Sequence, residues 1–476
     1  MVLSELAPLL PEITLLALAC VTLLGDIFSD DSKHGAAYWL AQISLIVTAL
    51  LLLSSFDTDS QYAVSGMFVS DAMSGILKFF ICIIGVFAFF YSREYLNRHD
   101  ILKGEYFVLG LFAILGMLVL VSANNLLTIY LGLELLSLSL YAMVAIHRDS
   151  KAASEAAIKY FVLGAISSGM LLYGISMLYG VTGSLELGAV ATAITAAETS
   201  TLAVFGLVFV LIGVAFKLGA VPFHMWLPDV YEGAPTSVTL FIGSAPKLAA
   251  FAMAIRLFVD GLGPLVQDWQ QMLMILAVLS MATGNLIAIA QSNIKRMLAY
   301  STIAHVGFLL LGLVSGSAGG YAGSMFYVIS YALMSMGAFA MIIILGRRGM
   351  EADKLDDFSG LAERSPWLAF MMLILMFSMA GLPPFLGFWA KWFVLREVIQ
   401  AGFVWIAIIA VIFAIIGAFY YLRVVKLMYF DEPVETSAPE CPLPLFTVVS
   451  INGLALLLLG LSPGALMSLC LLAFPA

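Results

Sequence analysis

The chain has 476 residues, of which 62% are apolar and only 11% charged, and its mean hydropathy is +1.06. A soluble chain carries about a quarter charged residues, so composition excludes one large soluble core and implies a polytopic membrane protein in contact with the lipid bilayer. The formal charge of −9 comes with no basic stripe or basic-aromatic patch, which argues against nucleic acid as a partner.

Glu5, Pro8 and Pro11 stand where a signal peptide has lysines, so the first apolar run is expected to stay as a span. At about 20 apolar residues per crossing, fourteen transmembrane helices are predicted. They lie near 7–28, 36–54, 68–91, 106–121, 124–146, 154–180, 202–230, 237–259, 272–291, 295–315, 321–346, 367–400, 403–429 and 443–472. The seventh and twelfth are too long for one unbroken helix. Each holds helix breakers, Gly219 and Pro222 in the first and Gly381, Pro383 and Pro384 in the second, which free carbonyls that lipid cannot hydrate.

The two breaks read alike: Ala220-Val221-Pro222-Phe223-His224-Met225-Trp226 against Gly381-Leu382-Pro383-Pro384-Phe385-Leu386-Gly387-Phe388-Trp389. They stand five spans apart, an odd number, and so cross in opposite directions. The expected fold is therefore all-α, with two inverted five-helix repeats (spans 4–8 and 9–13), an arrangement that places a site at the bilayer midplane. The expected divisions are three N-terminal helices in 1–105, a first repeat in 106–260, a second in 261–430 and a last helix in 431–476.

Basic residues set the orientation. With the N-terminus outside, the inner loops hold fourteen of them, from Lys33 to Lys426, and the outer side only Arg256 and Arg396. Outer loops carry acids instead, among them Asp57, Glu186, Glu198 and Asp268. The positive-inside rule then puts both termini on the periplasmic side.

The other five basic residues, Lys78, Lys159, Lys217, Lys247 and Lys391, lie within spans, as does Glu134. Charge at that depth is costly and marks function or a structural ion pair. Glu134, Lys217 and Lys247 fall near mid-depth, Lys391 just beyond the second break, and Lys159 about two turns from the inner surface. Lys78 reads best as a lysine that snorkels; Lys159 and Lys391 have the same alternative. A buried lysine tuned towards neutrality exchanges protons that an exposed one does not. A row of such groups beside two helix breaks therefore points to a proton relay. His305 in the tenth span is placed to bridge the halves, or to be satisfied by a hydroxyl; His224 follows the first break, with a structural hydrogen bond as the equal alternative. Four scattered cysteines with no CxxC or Cys/His spacing give no disulfide framework and no metal site.

The two breaks, Glu134 in its leucine-rich setting, Gly243-Ser244-Ala245-Pro246-Lys247 and the segment from Ser301 to Gly307 resemble the antiporter-like subunits of respiratory complex I. Three features resemble the N-type subunits of bacterial NADH:quinone oxidoreductase in particular. These are Lys159-Tyr160-Phe161-Val162-Leu163-Gly164-Ala165-Ile166-Ser167-Ser168-Gly169, the break Leu382-Pro383-Pro384-Phe385-Leu386-Gly387-Phe388-Trp389-Ala390-Lys391, and fourteen spans with no long C-terminal arm; lysine rather than glutamate at Lys391 agrees with them. The resemblance covers spans four to thirteen.

It implies that Glu134 and Lys217 form a coupled pair, that Lys159 modulates it, that Lys247 is the central relay and that Lys391 is the terminal lysine. Lys78 receives no role. The resemblance further implies a bacterial inner-membrane location beside the M, K, J and A subunits. FMN, iron–sulfur clusters and quinone are handled by other chains, and this one holds no cofactor. Two alternatives share some of these features. An Mrp-type sodium/proton antiporter subunit or hydrogenase-linked relative has the same lysines and is separated by its co-purifying subunits. A stand-alone secondary transporter would take up substrate as an isolated protein in vesicles.

Overall fold

The computed structural model describes residues 3–28, 34–196, 201–434 and 437–475; Lys33 and Glu198 lie outside them. In chain order the helices are α1 (Leu10–Ile27), α2 (Gly35–Ser54), α3 (Ala72–Arg98), α4 (Gly104–Val121), α5 (Leu126–Val144), α6 (Lys151–Thr182), α7 (Leu187–Ala196), α8 (Thr201–Leu218), α9 (Trp226–Gly233), α10 (Thr236–Gly243), α11 (Ala245–Ala254), α12 (Val266–Ile289), α13 (Ile294–Val314), α14 (Ala318–Leu345), α15 (Leu361–Arg364), α16 (Pro366–Ala380), α17 (Leu386–Gln400), α18 (Val404–Phe430), α19 (Leu443–Leu461) and α20 (Pro463–Leu472). A short hairpin of β1 (Gln61–Ala63) and β2 (Phe68–Ser70) follows α2.

Among the described residues, thirteen helical segments are long and apolar enough to cross a membrane. The predicted twelfth span is not one of them, because it is made of two 15-residue pieces, α16 and α17. The predicted seventh is likewise split into α8 and α9. Two further interruptions went unpredicted. The eighth span breaks at Ser244, between α10 and α11, and then runs on as a π-turn over Ile255–Gly261. The last is cut at Ser462 between α19 and α20.

Loops predicted on one side meet one another. At the acidic end Phe68 bridges Ala123, Asn125 bridges Glu186, and Arg256 pairs with Asp71 at 2.8 Å and Asp260 at 3.1 Å. Burial alone would push the Asp71 carboxyl up, but the Arg256 guanidinium beside it holds it below the usual range. At the basic end Asn293 bridges Lys354, and Arg98 donates to the carbonyls of Gly346 and Glu440.

Small residues let particular helices close on each other, the packing mode of membrane bundles. A β-carbon on Gly116 of α4 would lie 2.5 Å from Leu136 N of α5, and one on Gly284 of α12 would lie 2.5 Å from Ala304 N of α13. Helices α10, α11, α13 and α14 form the centre, buried along nearly their whole length, whereas α1, α2, α6 and α18 present exposed apolar side chains.

Both breaks end their first half-helix the same way. Gly219 has φ of 84° and Gly381 of 83°. In each, the glycine N–H and the next N–H turn back onto carbonyls of the last turn, Ala215 and Phe216 in one and Phe377 and Ser378 in the other, closing the helix as glycine caps do. A cis proline bond follows each, Val221–Pro222 and Pro383–Pro384. Gly381→Ala is expected to cost about 1–2 kcal/mol for the left-handed backbone alone. Its β-carbon would also lie 2.8 Å from Lys391 Cδ. Thermal unfolding of the purified assembly would register the loss; an unchanged midpoint would show that the turn tolerates a side chain.

Candidate functional site

The breaks matter because of what caps them. Lys247, buried on α11, donates from Nζ to the Leu218 carbonyl at 2.8 Å, the last residue of α8. Half-buried Lys391, on α17, donates to the Ala380 carbonyl at 2.8 Å and to Met379 at 3.3 Å, the last two residues of α16. In each case an ammonium meets the negative end of a half-helix, where a cation is favoured. Aromatic faces complete both settings, with Trp226 5.6 Å from the Lys247 ammonium and Phe308 5.3 Å from that of Lys391.

Lys217 closes α8 from within. It is buried, and its Nζ donates to Ser137 Oγ on α5 at 2.9 Å. Ser137 stands one turn from Glu134 on the same helix, and Glu134 accepts a hydrogen bond from the Ser168 hydroxyl of α6. The predicted coupled pair is thus brought close without direct contact. A serine is interposed, and each charge is solvated by a hydroxyl.

His305, on buried α13, is satisfied by two tyrosine hydroxyls of its own half, on α14 and α18, and meets the first half only across a small cavity. One ring nitrogen faces Tyr327 OH at 2.7 Å and the other Tyr421 OH at 3.0 Å. Tyr421 continues to Ser301 at 2.5 Å, and Thr302 meets Tyr331 at 2.6 Å. A cavity of about 10 Å³, the size of one water, is lined by Leu218, Lys247, His305, Tyr327 and Tyr331. Phe308, one turn along α13, stacks on Tyr327 and meets Lys391. Lys247, His305 and Lys391 therefore lie along one seam, polar from Lys247 to Tyr327 and carried on to half-buried Lys391 by the Phe308 ring. Tyr91, Tyr231, Thr236, Ser237 and Ser335 add buried hydroxyls with no protein partner among the described residues; such groups ordinarily hold water.

Three sequence candidates lie elsewhere. Lys159 is exposed and pairs with Asp229 at 2.8 Å and Glu155 at 2.9 Å, while Asp229 also binds Arg296 at 2.9 Å. It belongs to a surface charge cluster that ties α6 to α9 and α13, apart from Glu134 and Lys217. His224 is half-buried at the first break, and its Nδ1 has no hydrogen-bond partner among the described residues. Lys78 does not snorkel. Its side chain is 2% exposed, 2.6 Å from Glu12 on α1 and 4.6 Å from the Phe68 ring centroid.

A pair on the basic side also escaped the sequence reading, because Lys295 passes for a loop residue. It is buried, bonds the Ala234 carbonyl at 2.8 Å and pairs with Glu351 at 2.7 Å. The Tyr95 hydroxyl and the Thr236 N–H donate to the same carboxylate. Burial pushes Glu351 up, but Lys295 and these donors overcome it and hold its pKa at about 2. Among the described residues no three His, Cys, Asp or Glu side chains gather as a metal site.

Residues 123–417 match the family described as NADH:quinone oxidoreductase/Mrp antiporter, TM. A relative from Thioalkalivibrio sulfidiphilus, named NADH-quinone oxidoreductase subunit N, is 57% identical over 98% of this chain and 97% of its own length. A chain of respiratory complex I from Thermus thermophilus superposes with a TM-score of 0.83 at 31% identity, over 96% of this chain and 99% of that one. A chain of the Mrp complex from Dietzia sp. shares the fold, with a TM-score of 0.83 at 19% identity over 99% and 97%. This is a multi-pass membrane protein of the NADH:quinone oxidoreductase/Mrp antiporter family, grouped by sequence with the N subunits of NADH-quinone oxidoreductase.

Proposed function

We propose that the chain translocates protons as a membrane subunit of NADH:quinone oxidoreductase, driven by quinone reduction in other subunits. The observation that carries this reading is the pair of half-helix ends capped by lysines, Leu218 by Lys247 and Ala380 by Lys391, along a seam that contains His305. A lysine in a low-dielectric site is the cation best suited to give up a proton there, and tyrosine hydroxyls and water bridge the gaps. In this reading a change in charge at a neighbouring subunit reaches Glu134. Lys217 feels it through Ser137, and protons shift by Lys247 and His305 to Lys391. Lys159 acts from outside the seam by holding α9 through Asp229, and His224 supports the turn.

The same proposal takes 106–260 and 261–430 as inverted repeats. It is supported by the matched glycine caps and by the matched close contacts of α4 with α5 and of α12 with α13. It places the protein in a bacterial inner membrane with both termini periplasmic. Its neighbours are then the M, K, J and A subunits, with FMN, iron–sulfur clusters and quinone on other chains.

The test is Lys217→Ala in the assembled complex, with quinone reduction and proton uptake measured in the same vesicles. Both activities are expected to fall together. Normal values for both would sink the relay. Co-purification with sodium-translocating partners, free of flavin and clusters, would favour the antiporter reading that the shared Mrp fold leaves open.

A further inference from the structure

Two cavities at the basic end of the bundle share a wall. The larger, about 870 Å³, is bounded by Arg98, Arg347, Arg348 and Arg364 together with Glu94 and Glu440. The smaller, about 540 Å³, is bounded by Tyr38, Trp39, Phe90, Arg93, Leu102 and Leu445. Glu94 and Pro442 line both. Arg93, Arg98 and Arg348 thus stand at these walls with Glu94 beside Arg98 and Asp100 beside Arg348, so that basic groups outnumber acids.

The guanidinium groups are held in place. Arg98 is fixed by Glu94 at 2.9 Å and by the Gly346 and Glu440 carbonyls, Arg347 donates to Ser437 Oγ at 2.7 Å, and Arg93 lies 4.3 Å over the Tyr38 ring. Arg348 is 82% exposed and makes a long ion pair with Asp100 at 3.8 Å.

The apolar side of the smaller cavity opens onto a track. Trp39, Ile43, Ile46, Leu50 and Leu53 are all exposed, and their spacing of four and three residues makes one stripe along α2. At 1.5 Å per residue that stripe runs about 21 Å, more than the roughly 15 Å of one leaflet's acyl region. Basic pockets between membrane helices recognise anionic headgroups, arginine suits phosphate by its paired donors, and aromatic rings such as Tyr38 and Trp39 favour the headgroup level. A soluble anion would have no use for the track.

We propose that these joined cavities bind an anionic phospholipid of the leaflet on the arginine-rich side, its phosphate among Arg93, Arg98 and Arg348 and one acyl chain along α2. The site is independent of the proton seam.

The test uses the whole assembled complex, purified in mild detergent. Phospholipids retained per complex are counted by mass spectrometry, and a photoactivatable phosphatidylglycerol is cross-linked to the wild type. Label is expected on peptides from α2 and the end of α3, competed by phosphatidylglycerol and not by phosphatidylcholine. Arg93→Gln with Arg348→Gln is expected to weaken retention about tenfold to thirtyfold, and Trp39→Ala to weaken it without altering charge. Equal competition by phosphatidylcholine, or wild-type retention in the double variant, would overturn the proposal. So would density in the whole complex showing a neighbouring polypeptide in the groove. If the variants do not assemble, absence of label on the wild-type α2 and α3 peptides decides against it.

Discussion

Lys247→Met in the assembled complex is expected to reduce proton pumping at least about tenfold. The substitution removes the charged donor from the Leu218 carbonyl and the one lysine that lines the cavity with His305, Tyr327 and Tyr331. A lost hydrogen bond to a charged group costs about 1.5–3 kcal/mol, and about 1.4 kcal/mol on a barrier is already tenfold in rate. Loss of activity alone would not separate a relay from a helix cap. Lys247→Arg separates them, because arginine keeps the charge and donors but does not release its proton. If Lys247 only caps α8, the arginine variant pumps normally; if it carries protons, the arginine variant fails like the methionine one. Pumping by Lys247→Arg at the wild-type rate would remove this residue from the path.

Lys78→Met is expected to give the largest loss of stability, with pumping per assembled complex unaffected. Lys78 and Glu12 are 1% and 4% exposed, and Oε2 of Glu12 has no hydrogen-bond partner among the described residues. Removing one member leaves the other buried and uncompensated, a cost of about 3–5 kcal/mol. The double variant Lys78→Met with Glu12→Leu is expected to recover most of it, since apolar replacement of a buried pair is often neutral. Thermal unfolding of the three variants gives the coupling directly. Additive effects in the cycle would mean that the ion pair adds nothing to the packing of α1 and α3 on α2 and α4.

The large features were legible because they follow from composition and helix breakers. Apolar length gives the spans, and Gly219 with Pro222 and Gly381 with Pro383 give the two split helices. The third break, at Ser244, was hidden because serine fits a helix and Pro246 sits in the first turn of the next one, where it is tolerated. Depth along a span located Lys217, Lys247 and Lys391, but partners depend on helix rotation and neighbours, which depth does not contain. Ser137 and Ser168 therefore went unseen beside Glu134. Lys159 was assigned to the wrong company, since nothing local shows that Asp229 lies within its reach. Lys78 looked able to reach the surface, and only the packing of both α1 and α3 on α2 and α4 brings Glu12 to it.

The lysine-capped helix ends have a mechanical consequence. The carbonyls of Leu218 and Ala380 are each satisfied by a group whose charge depends on a proton. A neutral amine is a weaker partner for the negative end of a helix than an ammonium. The position of each helix end and the occupancy of each lysine by a proton are thus linked variables, and linkage is reciprocal. In the proposed relay, a push on α8 or α16 from a neighbouring subunit would alter where the proton rests, and a departing proton would let the helix end relax. Force and charge would then be exchanged at two hinges within one chain.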